Sequence, residues 1–314
     1  MGGHTMIEDY RARAEAMSRA AQQRQALAIL KRPPLFDIEA ASACNLRCGF
    51  CPRDEMRPRD RLMSIETWEA VHRFLPTDAV VMFSGLGEPL LNPRLEQAVA
   101  ALKQRGISSC AITNGLLLSP ERQRSLIDAG IDQFQVSLHS LDPDIWSEIT
   151  GVGNGHAQVL ANLEHLASRR PTGLRVQVNA VVEAGSESEL AALEDWTRTR
   201  GMDIFVRRVH SRGGSMAVSC RAGSSSVCGI LASVTFIASD GRLHACSNDV
   251  AAEMDVGDVR SLGWPEVRSW KRGWIAGNGG SEPCRGCNDD YRWAILAFGS
   301  VDVPKEASRK ENIE

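Results

Sequence analysis

The 314-residue chain lacks a charge excess of either sign: 36 Lys plus Arg stand against 39 Asp plus Glu, a net charge of −3. So nearly neutral a surface offers no basic field to a nucleic-acid backbone or an anionic bilayer, and neither nucleic acid nor membrane is expected as a partner. The chain also lacks any run of eighteen apolar residues, which excludes a spanning helix. Its opening, MGGHTMIEDYRARAEAM, has no apolar core of a secretory signal. A cytoplasmic location is expected. In that reducing setting the nine cysteines point away from a disulfide framework and toward metal or redox chemistry. With 43% hydrophobic residues the chain can fill a large core, so a disordered or fibrous polymer is excluded as well.

What the sequence does carry is alternation. After a helical lead at about residues 7–30 and a Lys-Arg-Pro-Pro break, strand-like runs are predicted at 35–40, 79–85, 109–115, 133–140, 175–182 and 203–210, with helical stretches between them. Most of the runs read as continuously apolar, as buried parallel strands do. The helix ends are legible. In SPERQRSLIDAG, Ser119 is placed to cap, Pro120 to open and Gly130 to stop a helix, while Gly106 and Gly201 close two others. A full eight-unit barrel needs about 250 residues, and the alternation ends near 210. The expected fold is therefore α/β, a partial (β/α)6 TIM-like barrel with ligands at the C-terminal strand ends. The Gly/Ser-rich stretch SRGGSMAVSCRAGSSSV marks a boundary. Beyond it, SVTFIASDGRLHACS reads as a hairpin about Asp240–Gly241, followed by a Trp-rich helical segment and CRGC. The predicted division is an N-terminal helical extension at 1–33, the barrel at 34–212, a linker at 213–227, a small domain at 228–295 and a tail at 296–314. A domain that small suits a metal staple.

Cys44, Cys48 and Cys51 fall in the loop directly after the first strand, where a βα barrel presents its chemistry. Three thiolates can hold three irons of a 4Fe-4S cluster and leave the fourth open for a ligand, whereas a closed structural site would want a fourth donor nearby. The stretch CNLRCGFC resembles the Cys-x3-Cys-x2-Cys signature of radical S-adenosylmethionine (SAM) enzymes, including aromatic Phe50 before the last cysteine. FSGLGEPLLNP resembles that family's Gly-Gly-Glu-Pro motif through Gly85, Gly87, Glu88 and Pro89, with Leu86 intervening between the glycines. Bare backbone there would let a cofactor approach, and Glu88 or nearby carbonyls would bind its ammonium. The resemblance further implies SAM contacts from Asn114 in ITNG, Ser137 in VSLHS, and Asn179 and Val181 in VQVNAVV. From FVRRVHSRGG, Arg207 or His210 would face the substrate.

The C-terminal cysteines, Cys228, Cys246, Cys284 and Cys287, with Gly241 ahead of Cys246, resemble the shortened "twitch" form of the family's SPASM auxiliary-cluster domain, a β-hairpin plus helix holding one auxiliary 4Fe-4S cluster. Paired cysteines near a hairpin also suit zinc. Full ligation would leave no open iron and favour electron transfer. Cys110, inside a strand, reads as a packed thiol, and Cys220, in the boundary segment, as a candidate hydrogen-atom donor.

The resemblance implies that reduced SAM yields a 5′-deoxyadenosyl radical, which removes hydrogen from a small-molecule substrate, with electrons from an external flavodoxin- or ferredoxin-type reductant. The layout is most similar to that of the aminocyclitol alcohol dehydrogenases of aminoglycoside biosynthesis. The expected reaction is accordingly oxidation of a polar metabolite (a sugar, aminocyclitol or nucleoside) in natural-product assembly, with the auxiliary cluster as electron acceptor. An epimerase using Cys220 is the alternative, and modification of a ribosomal peptide is a third.

Overall fold

The computed structural model describes residues 12–54, 60–182, 187–212, 216, 227–249, 252–277, 284 and 287–298. Helix α1 (Arg19–Ile29) opens at Ser18, whose hydroxyl accepts the Ala21 N–H and so interrupts the helical lead. The six anticipated strands follow: β1 (Leu35–Ile38), β2 (Val80–Phe83), β3 (Ser108–Thr113), β4 (Gln133–Ser137), β5 (Arg175–Val182) and β6 (Asp203–Arg208). Helices α2 (Ile65–Phe74), α3 (Leu95–Gln104), α4 (Pro120–Ala129), α5 (Pro143–Thr150), α6 (His156–Arg169) and α7 (Glu187–Thr199) connect them. The Ser119 cap, Pro120 start and left-handed Gly130 stop of α4 stand where the sequence places them. No helix among the described residues is long and apolar enough to cross a membrane.

All six strands are parallel, in the order β6-β5-β4-β3-β2-β1, so this is an α/β fold with the arrangement of a partial (β/α)6 barrel. The sheet continues past β1. Strand β7 (Val234–Ile237) pairs parallel with β1, and β8 (Arg242–His244) turns back on it as the anticipated hairpin, joined by β9 (Asp255–Asp258). Helices α8 (Gly229–Ser233), α9 (Trp264–Ala276) and α10 (Tyr291–Phe298) complete the C-terminal region. Helix α1 packs on α8, α9 and α10, and the Gln23 amide donates to the Ile275 carbonyl (3.1 Å).

The strands differ from the continuous apolar runs anticipated. Register puts Asp37, Met82 and Cys110 on one face, with Gln135, Ser137, Gln177, Asn179, Phe205 and Arg207 continuing it across β4, β5 and β6. The opposite face carries Phe36, Val81, Phe83, Ala111, Phe134, Val136, Val176 and Val178, all buried. One side of the sheet thus meets the helices and the other presents polar groups toward the ligand side of the barrel, which is why period-two alternation survives in QFQVS and RVQVNAVV.

Candidate active site

The chain leaves β1 through residues 39–42 into the loop bearing Cys44, Cys48 and Cys51. Backbone bonds hold this loop. The Arg47 N–H donates to the Thr150 carbonyl (2.9 Å) and the Gly49 N–H to that of Ile149 (3.1 Å), both at the end of α5, while the Cys51 N–H closes a turn on Cys48 (2.9 Å). Left-handed Gly151 permits the approach, since a Cβ there would lie 2.4 Å from the Arg47 oxygen. Burial pushes the Cys44 thiol up and that of Cys48 up to about 12, with Cys51 acting on both. The three sulfurs therefore lie within electrostatic reach of one another, in an environment that admits thiolates only beside positive charge. Among the described residues no three His, Cys, Asp or Glu side chains converge on a single metal ion. Three half-buried thiols in one loop fit instead a cluster in which each iron takes one thiolate.

The β2 loop packs directly beneath. A Cβ at Gly87 would stand 2.1 Å from the Ala41 oxygen and 2.4 Å from that of Ala43, and the Glu88 N–H donates to Ala43 (2.8 Å). Gly85 lies against the Glu39 side chain. The bare backbone of these glycines admits the cysteine-bearing segment. The Glu88 carboxylate is buried, accepting Leu90 N–H (3.0 Å) and Thr113 hydroxyl (2.7 Å) on Oε1 and Asn114 N–H (2.7 Å) on Oε2. It joins β2 to β3. Asn114 in turn donates to Asn45 Oδ1 (2.7 Å), which ties β3 to the cysteine loop.

Ser137 and Asn179 are register partners at neighbouring strand ends. Asn179 accepts from Gln177 (2.8 Å) and donates to Gln135 (3.4 Å), and the Ser137 hydroxyl is half-buried with no hydrogen bond among the described residues. Above them sits a residue the sequence reading passed over within VSLHS. His139 has φ 68°, a left-handed conformation rare for a side chain of this size. Its Nδ1 accepts the Val181 N–H (3.2 Å), and its ring stands edge-on to Phe50 at 5.1 Å. Burial pushes its pKa down to about 4, so the ring is neutral at pH 7. His139 thereby links the cysteine loop to the end of β5. Asp37 lies deeper, buried, receiving the Ser84 hydroxyl, and burial raises its pKa to about 6.

Arg207 or His210 was expected to face the substrate; in the structure both lie beside Asp289. Arg207 Nη2 donates to both oxygens of Asp289 (2.7 Å each). Asp289 is buried and also accepts the Asn248 amide (2.7 Å) and the Tyr291 N–H (3.1 Å). Burial opposes its charge, yet the Arg207 guanidinium holds its carboxyl well below the usual range. His210 is buried 4.0 Å from Asp289, and burial pushes it down to about 3, so it is neutral. Arg212 is half-buried close by. It makes no hydrogen bond or ion pair among the described residues and lies within electrostatic reach of Arg207, Cys51, Asp289 and Asp37.

The second set of cysteines gathers from three places: Cys228 before α8, Cys246 after β8, and Cys284 and Cys287 before α10. Burial pushes Cys246 well up and Cys287 up to about 11, with Cys228 acting on both. Arg292, buried, donates to the carbonyls of Cys287 (3.1 Å) and Cys284 (3.4 Å) and feels the charge of Cys228, Cys287 and Cys284. Four thiols beside a buried guanidinium form a donor set that fits an iron–sulfur group. Cys110 is a buried strand residue, as anticipated. Cys220 lies outside the described residues.

Residues 38–182 match the Radical SAM superfamily. That segment is a radical SAM domain. Radical SAM proteins use SAM, a 4Fe-4S cluster and an external reductant. Among curated relatives, the chain is 33% identical over 225 residues to a probable GTP 3′,8-cyclase of Aeropyrum pernix, covering 67% of this chain and 62% of that protein. It is 34% identical over 180 residues to a probable GTP 3′,8-cyclase of Sulfolobus acidocaldarius (56% of each), and 33% over 176 residues to GTP 3′,8-cyclase 1 of Pseudomonas aeruginosa (53% and 51%). It spans about half to three fifths of the length of these relatives. Among solved structures, BtrN in complex with AdoMet and 2-DOIA aligns at TM-score 0.57 and 18% identity, covering 82% of this chain and 94% of that one. SuiB of Streptococcus suis bound to the precursor peptide SuiA aligns at 0.61 and 15%, covering 76% and 64%. At those identities the structural likeness speaks for the fold alone.

These relatives correct the functional expectation. Oxidation of a sugar or aminocyclitol in natural-product assembly, and the epimerase and peptide-modifying alternatives to it, rested on the layout of a radical SAM barrel with one short cysteine region. Several unrelated reactions share that layout, whereas the curated relatives named above are GTP 3′,8-cyclases by name.

Proposed function

We propose that this radical SAM chain acts on a guanine nucleotide, with GTP as substrate, closing a bond between the sugar and the purine as the names of its relatives describe. The likeness to GTP 3′,8-cyclases at 33% identity over 225 residues carries the reading. Arg212 adds chemical support: a guanidinium with no ion pair among the described residues, in electrostatic reach of Cys51, suits a phosphate oxygen. A 4Fe-4S cluster on Cys44, Cys48 and Cys51, with SAM at its open iron, would supply a carbon-centred radical.

The protein's own groups then orient and shield. Asn114 and Gly87 fix the cysteine loop against β3 and β2. The polar row of Gln135, Ser137, Gln177 and Asn179 offers donors and acceptors to the ribose or carboxylate of SAM, and Phe50, His139 and Val181 frame an apolar wall for adenine. Cys228, Cys246, Cys284 and Cys287 would hold a second 4Fe-4S cluster with no open iron, which suits storage of an electron more than ligation of substrate. A flavodoxin- or ferredoxin-type protein would be the reductant. Loss of the C3′ hydrogen atom, bonding of C3′ to C8, and return of one electron and one proton leave the atoms of GTP unchanged, so the product is an isomer of GTP.

The test is anaerobic incubation of reconstituted protein with SAM, dithionite and either GTP, ATP or no nucleotide, followed by mass spectrometry. The expected result is 5′-deoxyadenosine formed in step with a new GTP isomer, with GTP alone. No GTP-dependent 5′-deoxyadenosine above the blank would overturn the substrate assignment.

A further inference from the structure

Lys271, on α9, is only 1% exposed. Its ammonium donates to three carbonyls: Leu231 (2.8 Å), Val234, and Ala245 (3.1 Å). That uses all three of its protons and marks the group as charged. Leu231 lies in α8, which begins immediately after Cys228, and Ala245 immediately precedes Cys246. One ammonium therefore fastens together the segments that carry two of the four C-terminal cysteines.

The position needs more explanation than packing provides, because Val267 and Ile275 on the same buried side of α9 are apolar. A buried ammonium is unfavourable unless an anion offsets it. No carboxylate pairs with Lys271 among the described residues. Burial pushes its pKa down to about 7, opposed by the negative charges of Cys246 and Cys228. Cysteines bind metal as thiolates, and the ammonium lies beside the backbone segments that carry two of them.

We propose that Lys271 is a buried counter-cation, alongside Arg292, of an anionic iron–sulfur centre at Cys228, Cys246, Cys284 and Cys287, a positioning residue that holds the Cys228 and Cys246 segments together and raises that centre's reduction potential. The inference rests on the reading that these cysteines hold a second cluster. A fixed positive charge favours the more negative, reduced form, so its removal shifts the equilibrium toward the oxidised form.

The experiment uses the full chain carrying Cys44→Ala, Cys48→Ala and Cys51→Ala, reconstituted anaerobically, so that any remaining iron–sulfur signal comes from the C-terminal cysteines. Lys271→Gln removes the charge but keeps a donor, and Lys271→Arg keeps the charge. Iron and sulfide content, the potential read by electron paramagnetic resonance, and the melting temperature of iron-free protein are measured. The expected result is about four irons in the parent. At a fixed poise the Gln variant should show a roughly tenfold lower reduced-to-oxidised ratio, equivalent to about 59 mV for one electron. The Arg variant should return toward the parent. Failure of the Gln variant to take up iron while its iron-free melting temperature is unchanged also supports the proposal. A Gln variant with full iron at the parental potential overturns it, and so does an iron-free protein that fails to fold with either substitution, since Lys271 would then serve the fold alone. No iron in the parent would overturn the second-cluster reading itself, a result distinguishable from all of these.

Discussion

Replacing Asp289 with Ala should be among the most damaging single changes outside the cysteines. The carboxylate is 3% exposed and receives two bonds from Arg207, one from Asn248 and one from Tyr291 N–H. Removal leaves a guanidinium, an amide and a backbone N–H without their acceptor. Breaking a buried ion pair on one side costs about 3–5 kcal/mol. The Arg207 side chain keeps 31% of its surface, so water reaches the orphaned cation and the lower end, ~3 kcal/mol, applies. Removing Arg207 as well, as Arg207→Met, takes away the uncompensated charge, so the double variant should lie ~2 kcal/mol above the sum of the singles. Urea unfolding of anaerobic protein, followed by tryptophan fluorescence, would measure both. The pH dependence is a further check. A carboxyl whose folded pKa lies below its unfolded value contributes fully above about pH 4 and loses that contribution only as pH falls through the folded value, so the coupling should be flat from pH 5.5 to 8. A cost under about 1 kcal/mol, or additive single effects, would refute the claim that this carboxylate is the hub joining β6 to the C-terminal region.

Three further outcomes follow from the site. Asp37 has a folded pKa of about 6, above its unfolded value, so its favourable contribution is complete below about pH 4 and is lost as pH rises through 6; Asp37→Asn should stabilise by up to ~3 kcal/mol at pH 8 and by almost nothing at pH 4, and equal effects at both would contradict the burial argument. Gly87→Ala should cost about 3 kcal/mol or push the cysteine loop aside with loss of iron at Cys44, Cys48 and Cys51, and normal stability with full iron loading would show that the two backbones are not in contact as described. His139→Gly relieves the left-handed backbone but removes the acceptor of the Val181 N–H and the ring beside Phe50, so SAM affinity measured by equilibrium dialysis should fall about tenfold, consistent with one buried N–H left unsatisfied, and unchanged affinity would remove His139 from the site.

The features legible in the sequence are those written in short-range spacing. The interval between Cys44, Cys48 and Cys51, the caps of α4, the six strands and the β7–β8 hairpin each depend on residues within a dozen positions of one another, and each stands in the structure where it was anticipated. The superfamily followed from the same local signal. Its reaction did not, because a barrel and a short cysteine region are shared by enzymes with unrelated substrates.

Tertiary structure alone decided how polar groups are partnered across long stretches of chain. Arg207 lies 82 residues from Asp289, Glu88 reaches Thr113 and Asn114 on the next strand, and Lys271 reaches back 40 residues to Leu231. In one dimension each is a charged residue suited equally to solvent, substrate or core, and only the meeting of strand ends determines whether a partner is present. The same holds for the placement of β7 beside β1 and of α1 against α8, α9 and α10, which depends on the faces left open once the barrel strands have paired. Local sequence sets the torsional preferences and the metal-ligand spacing, whereas the energy of a buried charge depends on every group that folding brings to it.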